Sequence, residues 1–202
     1  MSRFQASVRP YGVALRAMLV LTVGLGLLYP LVILGIGQTL FNKTANGSLV
    51  TVGDRAVGSS LIGQSFSDTD GNPLPQFFQP RPSAAGNGYD SSASGGSNFG
   101  PENADLIAAI TKRKAEIAAF NNVDPASIPA DALTASSSGL DPDISKEYAL
   151  LQANRVAAAR GIPLAQMQAL VTDHIASRNL GFLGEETVNV LELNIALEQI
   201  GG

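Results

Sequence analysis

Few residues in this sequence have the types and spacing that enzyme chemistry requires. The chain contains no cysteine and a single histidine, His174. It lacks G-x-S-x-G, S-x-x-K, H-E-x-x-H and G-x-x-x-x-G-K-S/T, the local signatures of serine hydrolases, zinc peptidases and P-loop proteins. His174 lies beside Leu170 and Val171 on the apolar side of a predicted helix, which favours a structural role over general-base catalysis. The sequence therefore predicts no catalytic residue.

One acidic turn resembles part of a calcium-binding loop. Asp68, Asp70 and Gly71 match the third, fifth and sixth positions of such a loop. Phe66 and Phe77 would stand at its two ends, where carboxylates are needed. We therefore expect an acidic surface turn and no metal site.

A glycine-rich loop offers one place for a cofactor. Its residues are Ser94, Gly95, Gly96, Ser97 and Asn98, shortly before a predicted helix. Backbone N–H groups in such a loop can hold a phosphate group. The alternative is a tight loop that packs at an interface. These five residues are the candidates for cofactor binding, and the residues alone identify no cofactor.

The element that positions everything else is an uncharged stretch of 25 residues, Ala17 to Phe41. As a helix it would measure about 37 Å, enough to cross a hydrocarbon core of about 30 Å. The apolar part of a signal peptide is shorter, about 7 to 15 residues, and the nearest small-x-small pattern lies beyond the run, at 45–47. We expect a retained transmembrane helix rather than a removed signal peptide.

Basic residues flank this helix unevenly. Three arginines precede it: Arg3, Arg9 and Arg16. Only Lys43 and Arg55 follow soon after, and cytoplasmic flanks are the ones enriched in Lys and Arg. This predicts a cytoplasmic tail over 1–16 and an extracytoplasmic domain over 42–202. That domain holds all 17 acidic and 10 of the 13 basic residues, a formal charge of −7, so nucleic acid is not an expected partner.

Small residues mark one face of the predicted membrane helix. Thr22, Gly26 and Pro30 are four apart, and Gly37 falls on the same side of a regular helix. Gly and Pro are common in membrane helices, which is one interpretation. The other is that the smooth face docks on a larger membrane protein, since small residues let helices approach closely in lipid. We take these four residues as a candidate partner interface.

The remaining chain predicts an α+β domain with a small β-sheet and several packed helices. Residues 48–66 contain short β-type segments, with a hairpin signal at Gly53-Asp54. Residues 67–101 are rich in Gly, Ser, Asn, Asp and Pro. A disordered linker is one interpretation, but the aromatic residues spaced through it favour an ordered loop packed on the domain or on a partner. Phe78 and Tyr89 are the expected partner contacts in this loop.

Patterns of caps and apolar spacing define the other elements. The sequence predicts helices over 101–120, 145–161 and 164–179, a strand over 187–193 and a final helical turn capped by Asn194. Residues 112–114, all basic, are expected to be exposed on the first of these helices.

Seven short motifs, in this order, then resemble one known family. They are ANGSL (45–49), SSLIGQSF (59–66), RPSA (81–84), SGGSN (94–98), TASSSGLD (134–141), RVAAAR (155–160) and VNVLELNIAL (188–197). With the single N-terminal membrane helix, they resemble the C subunit of the Kdp-type potassium-transporting ATPases over nearly the whole chain. Ser137, Asp143 and Phe99 depart from the usual family pattern.

The resemblance implies a subunit of a potassium import complex in the inner or plasma membrane. Its partners would be a channel-like potassium-translocating subunit and a P-type ATP-hydrolysing subunit. The implied role is assembly, together with a chaperone-like increase in the ATP affinity of the hydrolysing subunit. ATP is a cofactor implied by the family alone, and potassium is the transported ion. With one span and no aspartyl-phosphate machinery, the chain itself is expected to be non-catalytic.

Two functions of other classes remain as alternatives. A membrane-anchored extracytoplasmic hydrolase would need an acid–base constellation that the sequence does not show. A binding or scaffold module unrelated to ion transport fits the same topology. Co-purification with a P-type ATPase would discriminate between these and the potassium complex.

Overall fold

The computed structural model of the chain describes residues 3–200, with side chains from Arg9 onward. It divides into two compact units, Met1–Leu49 and Val50–Gly202. The first unit is helical, and the second is an α+β domain with small sheets. The predicted fold class is confirmed to that extent. The boundary between the units lies at Leu49, whereas the sequence analysis put it after Phe41.

The first unit is dominated by one long helix. Its elements are α1 (Arg3–Val23), a π-helical turn (Gly24–Leu28), α2 (Tyr29–Leu40) and the short helix α3 (Asn42–Ala45). Among the described residues, Arg9–Leu40 is the one helix long and apolar enough to cross a membrane, and its most apolar 18 residues have a mean hydropathy of 2.4. The helix begins well before Ala17, so the residues predicted as a tail are helical from Arg3 onward.

The π-helical turn ends at Leu28, two residues before Pro30, and this proline explains why the turn forms here. Proline has no N–H to donate, and its ring clashes with the carbonyl group four residues earlier, that of Gly26. The wider turn accommodates the ring, and the N–H of Tyr29 donates to the carbonyl of Gly24. One extra residue in the turn rotates the rest of the helix by about 100° relative to a regular α-helix. Gly37 is therefore displaced from the face of Gly26 that the sequence analysis assigned to it.

The second unit begins with a β-hairpin and continues with helices and a second sheet. Its elements are β1 (Leu49–Val52), β2 (Arg55–Ser59), α4 (Ala104–Asn121), a 3₁₀ turn (Pro125–Ser127), α5 (Ala130–Leu133), β3 (Asp143–Ser145), α6 (Lys146–Arg160), α7 (Leu164–Asp173), β4 (Ile175–Ala176), β5 (Thr187–Asn189) and α8 (Val190–Ile200). The hairpin turn is the predicted one, and Gly53 there has a φ of +60°. The described residues 60–103 contain no regular helix or strand.

Three of the helix boundaries follow local cap chemistry. Ser145 accepts a hydrogen bond from the N–H of Tyr148 at 3.1 Å, and Gly161 closes α6 with a φ of +67°. Both limits of α6 are therefore as predicted. For α4 the N-cap is Asn103, whose side chain accepts from two backbone N–H groups, so this helix starts after Pro101 rather than at it.

The second sheet corrects the predicted end of α7. It is antiparallel, with β5 between β3 and β4. Val188 of β5 pairs with Ile144 on one side and with Ile175 on the other. Because Ile175 belongs to this ladder, α7 ends at Asp173 instead of continuing to residue 179.

The predicted strand over 187–193 is wrong beyond Asn189. Helix α8 begins at Val190, and the side chain of Asn189 accepts a hydrogen bond from the N–H of Glu192 at 3.1 Å. Asn189, not Asn194, therefore occupies the start of the helix. The buried apolar residues of α8 are Val190, Leu191, Leu193 and Leu197, and three of them, Val190, Leu193 and Leu197, follow helical spacing.

The core of the second unit lies where α6, α7 and α8 pack on the three-stranded sheet. Its largest fully buried apolar side chains are Phe78, Ile144, Met167, Leu193, Leu197, Val156, Val171 and Val188. Helix α4 covers one side, with Ile110 and Ile117 partly buried against the core. Arg113 on this helix is half-buried and donates to the carbonyl of Leu133 at 3.0 Å, so it is not part of an exposed basic face as predicted.

Candidate functional site

The small residues of the membrane helix are exposed to its surroundings at the position where docking was predicted. A Cβ added at Gly26 would lie 3.9 Å from Cγ2 of Thr22, so these two residues share one face. Pro30 follows the π-helical turn. Gly37 instead faces Ala45 of α3, whose Cβ would lie 3.6 Å from an added Cβ. Gly37 is thus next to α3 of the same unit, at an ordinary contact distance, which the sequence pattern alone did not show.

In the second unit, motifs that are far apart in sequence converge on the loop between α5 and β3. We call this loop, residues 134–141, the 134–141 loop. From SSLIGQSF, the N–H of Gly63 donates to the carbonyl of Leu140 at 2.8 Å. From RPSA, the hydroxyl of Ser83 donates to the carbonyl of Gly139 at 2.6 Å. The motifs are therefore parts of one packed structure rather than separate sites.

The candidate phosphate loop, Ser94–Asn98, packs against the same 134–141 loop. The N–H of Gly95 donates to the carbonyl of Ser138 at 2.9 Å. A Cβ added at Gly96 would lie 2.9 Å from the carbonyl oxygen of Ser137, closer than packed atoms allow. Glycine is therefore required here for two backbones to approach each other. This geometry favours the tight-loop alternative over a phosphate cradle.

Arg81 of RPSA holds the 134–141 loop from both ends. Its Nη1 donates to Oδ2 of Asp141 at 2.8 Å, and its Nη2 donates to the carbonyl of Thr134 at 3.4 Å. Its Nε is buried and has no hydrogen-bond partner among the described residues, which costs free energy. Two clefts, of about 820 and 620 Å³, both border Arg81. With its charge compensated by Asp141, this guanidinium positions the loop and separates the clefts.

Tyr89 is half-buried beside Arg81 in the larger cleft. Its hydroxyl donates to the carbonyl of Arg81 at 2.6 Å, and its N–H donates to the hydroxyl of Ser83 at 2.8 Å. Tyr89 has a φ of +56°, a left-handed conformation that is uncommon for tyrosine. Burial, and then the charge of Asp141, raises the pKa of Tyr89 above its ordinary value, so it stays protonated. Contact between Tyr89 and a partner subunit stays a prediction.

Phe78, the other predicted partner contact, is part of the domain's own core. Its side chain is 0% exposed, and the ring belongs to the main apolar cluster. The side chain of Asn194 pairs with its backbone, accepting from the Phe78 N–H at 2.9 Å and donating to the Phe78 carbonyl at 3.0 Å. Phe78 thus has no surface to offer a partner, and its assignment to an interface is corrected. The aromatic residues predicted an ordered loop, but this signal did not distinguish a core position from an interface position.

The RVAAAR motif has a role that sequence reasoning missed. Arg155 donates through Nη1 to the carbonyl groups of Pro75 and Phe77, and Arg160 donates through Nε to the carbonyl of Gln76 at 2.8 Å. Burial lowers the pKa of Arg155 to about 10, so its guanidinium remains charged at neutral pH. The two arginines therefore hold the loop segment 75–77 on α6. The available signal was that these two arginines enclose a segment of only Val and Ala, residues 156–159.

The remaining candidates for chemistry are structural. His174 follows the last turn of α7, and its Nδ1 lies 2.8 Å from the carbonyl of Leu170, to which it donates. Asp68 accepts from the N–H groups of Asp70 and Asn72 at 2.9 and 2.8 Å, an acidic turn as predicted. The side chain of Asn72 and these N–H groups lower the pKa of Asp68. In residues 3–200, no group of three or more His, Asp or Glu side chains is arranged to hold a metal ion.

Comparison with known proteins gives a consistent result. Residues 11–199 match the family model described as "KdpC: K+-transporting ATPase, c chain". The chain is 54% identical over 180 residues to a potassium-transporting ATPase KdpC subunit of Kineococcus radiotolerans, covering 89% of this chain and 88% of the relative. Proteins of the same name are 48% identical over 191 residues in Beijerinckia indica, covering 95% and 92%, and over 189 residues in Mycobacterium tuberculosis, covering 93% and 96%.

Proposed function

This chain belongs to the KdpC family, the c chains of K+-transporting ATPases, and we propose that it assembles the potassium import complex through its membrane helix. It is an accessory subunit of that complex, whose other subunits are its partners and whose transported ion is potassium. The proposal concerns how the subunit contributes. Its helix both anchors the chain and docks on the partners.

The observation that carries this proposal is the exposed apolar surface of Arg9–Leu40. The most apolar part of this helix is 0% buried within the chain. Thr22 and Gly26 form a face with few projecting side chains, and such faces support close helix–helix packing in lipid. The π-helical turn reinforces the argument, because a widened turn leaves backbone groups that a neighbouring helix or water must satisfy. The helix thus has the features of a docking element in addition to those of an anchor.

We also propose that the chain spans the membrane once, with its N-terminus in the cytoplasm. Arg3, Arg9 and Arg16 support this orientation, since basic residues are retained on the cytoplasmic side. The second unit would then lie outside the cytoplasm. The partners in this arrangement are the channel-like potassium-translocating subunit and the P-type ATP-hydrolysing subunit that the family resemblance implies.

For the chaperone-like effect on ATP affinity, we propose transmission through subunit contacts. A direct phosphate contact at Ser94–Asn98 is disfavoured because the N–H of Gly95 already donates to Ser138. At Gly96 the same loop packs directly against the backbone of Ser137 in the 134–141 loop. The proposed orientation also separates this loop from cytoplasmic ATP. In this proposal the subunit binds no nucleotide and carries out no catalysis itself.

Purification of the full-length chain from membranes tests the proposal. A tagged chain should bring down the potassium-translocating and ATP-hydrolysing subunits in stable proportion. Potassium-stimulated ATP hydrolysis by the partners should fall when the chain is deleted and return when it is restored. Recovery of the chain alone, with full ATP hydrolysis in its absence, would favour a free-standing binding or scaffold module.

A further inference from the structure

The loop that joins β4 to β5 has an apolar turn at its middle. Residues 179–184, which we call the 179–184 tip, read Asn-Leu-Gly-Phe-Leu-Gly. Leu180 is 81% exposed, Phe182 70% and Leu183 49%. Single exposed apolar residues are normal on protein surfaces, whereas three within four positions form a patch.

This patch is held in a defined conformation by the chain itself. The N–H of Asn179 donates to the carbonyl of Leu183, and the N–H of Leu183 donates back to Asn179, both at 2.9 Å. At the base of the tip, Arg178 and Glu185 form an ion pair at 2.6 Å. The apolar side chains are therefore presented by a closed turn rather than by a loose loop.

The turn also carries backbone strain. Leu180 has a φ of +54°, a left-handed conformation that glycine or asparagine adopts far more readily than leucine. Holding a leucine in this conformation costs free energy of folding, and its exposed side chain gains no burial in return. Neither helps the domain, and such strain is typical of sites where a side chain serves recognition.

The charges around the tip indicate what kind of surface it meets. Glu185 and Glu186 follow it directly, and the nearby basic residues Arg178 and Lys146 are both engaged with these glutamates, at 2.6 and 3.0 Å. A segment that binds anionic lipid carries free basic residues instead. Because both glutamates are compensated within the chain, the surroundings of the tip carry no unpaired charge from these four residues. A protein pocket with an uncharged rim is the complementary surface.

We propose that the 179–184 tip inserts into an apolar pocket on another subunit of the potassium import complex. Leu180 and Phe182 are the anchors, and Glu185 and Glu186 face the rim of the pocket. This inference rests on the proposed role in assembly and adds a second contact outside the membrane helix. Exposed apolar anchors that fill a pocket account for most of the free energy in many interfaces.

Substitution at Leu180 separates recognition from folding. Leu180→Asn relieves the left-handed strain, so the full-length chain should melt at a higher temperature. The Leu180→Asn chain should bind its partners about tenfold more weakly in titrations carried out in detergent. Adding Phe182→Ser should weaken this binding further. The matched control is Ile107→Gln, which removes an apolar side chain that is 53% exposed on α4 and should leave binding unchanged. A higher melting temperature with unchanged binding would overturn the inference.

A photo-crosslinking residue at position 182, introduced into the purified complex, identifies the occupant. A covalent adduct with another subunit of the complex supports the inference. An adduct with lipid or a second copy of this chain, or no adduct in an intact complex, overturns it. Intact assembly of every tip variant would overturn this inference and leave the proposed function standing. Failure of the unsubstituted chain to co-purify with any subunit would instead remove the proposed function, and this inference with it.

Discussion

The side chain of Gln152 on α6 pairs with the backbone of Gln79 as a neighbouring β-strand would. The N–H of Gln79 donates to Oε1 of Gln152 at 2.7 Å, and Nε2 of Gln152 donates to the carbonyl of Gln79 at 3.0 Å. Gln152 is 0% exposed. A loop segment without a strand partner thereby satisfies its buried backbone groups.

Removing this side chain should destabilise the second unit strongly. Gln152→Ala leaves a buried N–H and a buried carbonyl without partners, which should lower the free energy of unfolding by about 3 kcal/mol. Denaturant titration of the full-length chain followed by circular dichroism measures this. Gln168→Ala, on the exposed face of α7, is the control and should change stability by less than about 0.5 kcal/mol. Equal effects of the two substitutions would show that the Gln79 pairing contributes little.

Bulk on the small-residue face of the membrane helix should weaken assembly. Gly26→Leu places a large side chain where a partner helix is expected and should cost about 1 to 3 kcal/mol of association. The yield of partner subunits with a tagged chain measures the loss. Gly24→Leu is the control, since it points away from Gly26 and its added Cβ meets no described atom within 4 Å. If both variants assemble normally, the helix is only an anchor.

The orientation of the chain is testable with reporters. A phosphatase that works only outside the cytoplasm should be active when fused after Gly202, and a fluorescent protein that folds only in the cytoplasm should be dark there. The reason is the excess of arginine on the N-terminal side of the uncharged stretch 17–41. Placing the reporters before Met1 is the control and should reverse the pattern. Cytoplasmic fluorescence from the Gly202 fusion would reverse the topology and reopen direct contact with ATP.

The Ser94–Asn98 loop should respond to substitution as a packing element. Gly96→Ala crowds the carbonyl of Ser137 and should lower stability by about 1 to 3 kcal/mol. Gly100→Ala is the control, because its added Cβ meets no described atom within 4 Å. Thermal melting of the full-length chain compares them. In the assembled complex, Ser97→Ala should leave the KM for ATP unchanged, and a severalfold rise would indicate that the loop contacts nucleotide.

Asp143 should make stability depend on pH. Burial, and then the charge of Asp141, raises the pKa of Asp143 above 3.8, so the folded chain holds this proton more tightly than the unfolded chain. Its contribution is favourable below pH 3.8 and is lost as the pH rises through the folded-state pKa. Asp143→Asn should therefore raise the melting temperature more at pH 7 than at pH 4. Asp173→Asn is the control, because Asp173 is exposed. If the melting temperature of Asp143→Asn depended on pH in the same way as that of the unsubstituted chain, the assignment would be contradicted.

Local chemistry was sufficient for several features that the sequence analysis predicted. The membrane helix follows from its uncharged length, the turn at Gly53-Asp54 from glycine's backbone freedom, and the limits of α6 from its cap residues Ser145 and Gly161. Each of these depends on neighbours within a few residues. The family, too, could be recognised from short motifs in order, and the comparisons confirmed it.

Contacts between distant residues decided the rest. Ile175 lies in a strand rather than in the predicted helix because it pairs with Val188. Phe78 lies in the core, where Asn194, 116 residues away, forms hydrogen bonds with its backbone. The convergence of motifs on the 134–141 loop has the same origin. A sequence pattern states how apolar or polar a segment is, but not which distant segment will cover it. Tertiary packing decides whether a residue lies in the core, holds a loop in place or stays on the surface. It does so because buried backbone groups must form hydrogen bonds with whichever partners lie within reach.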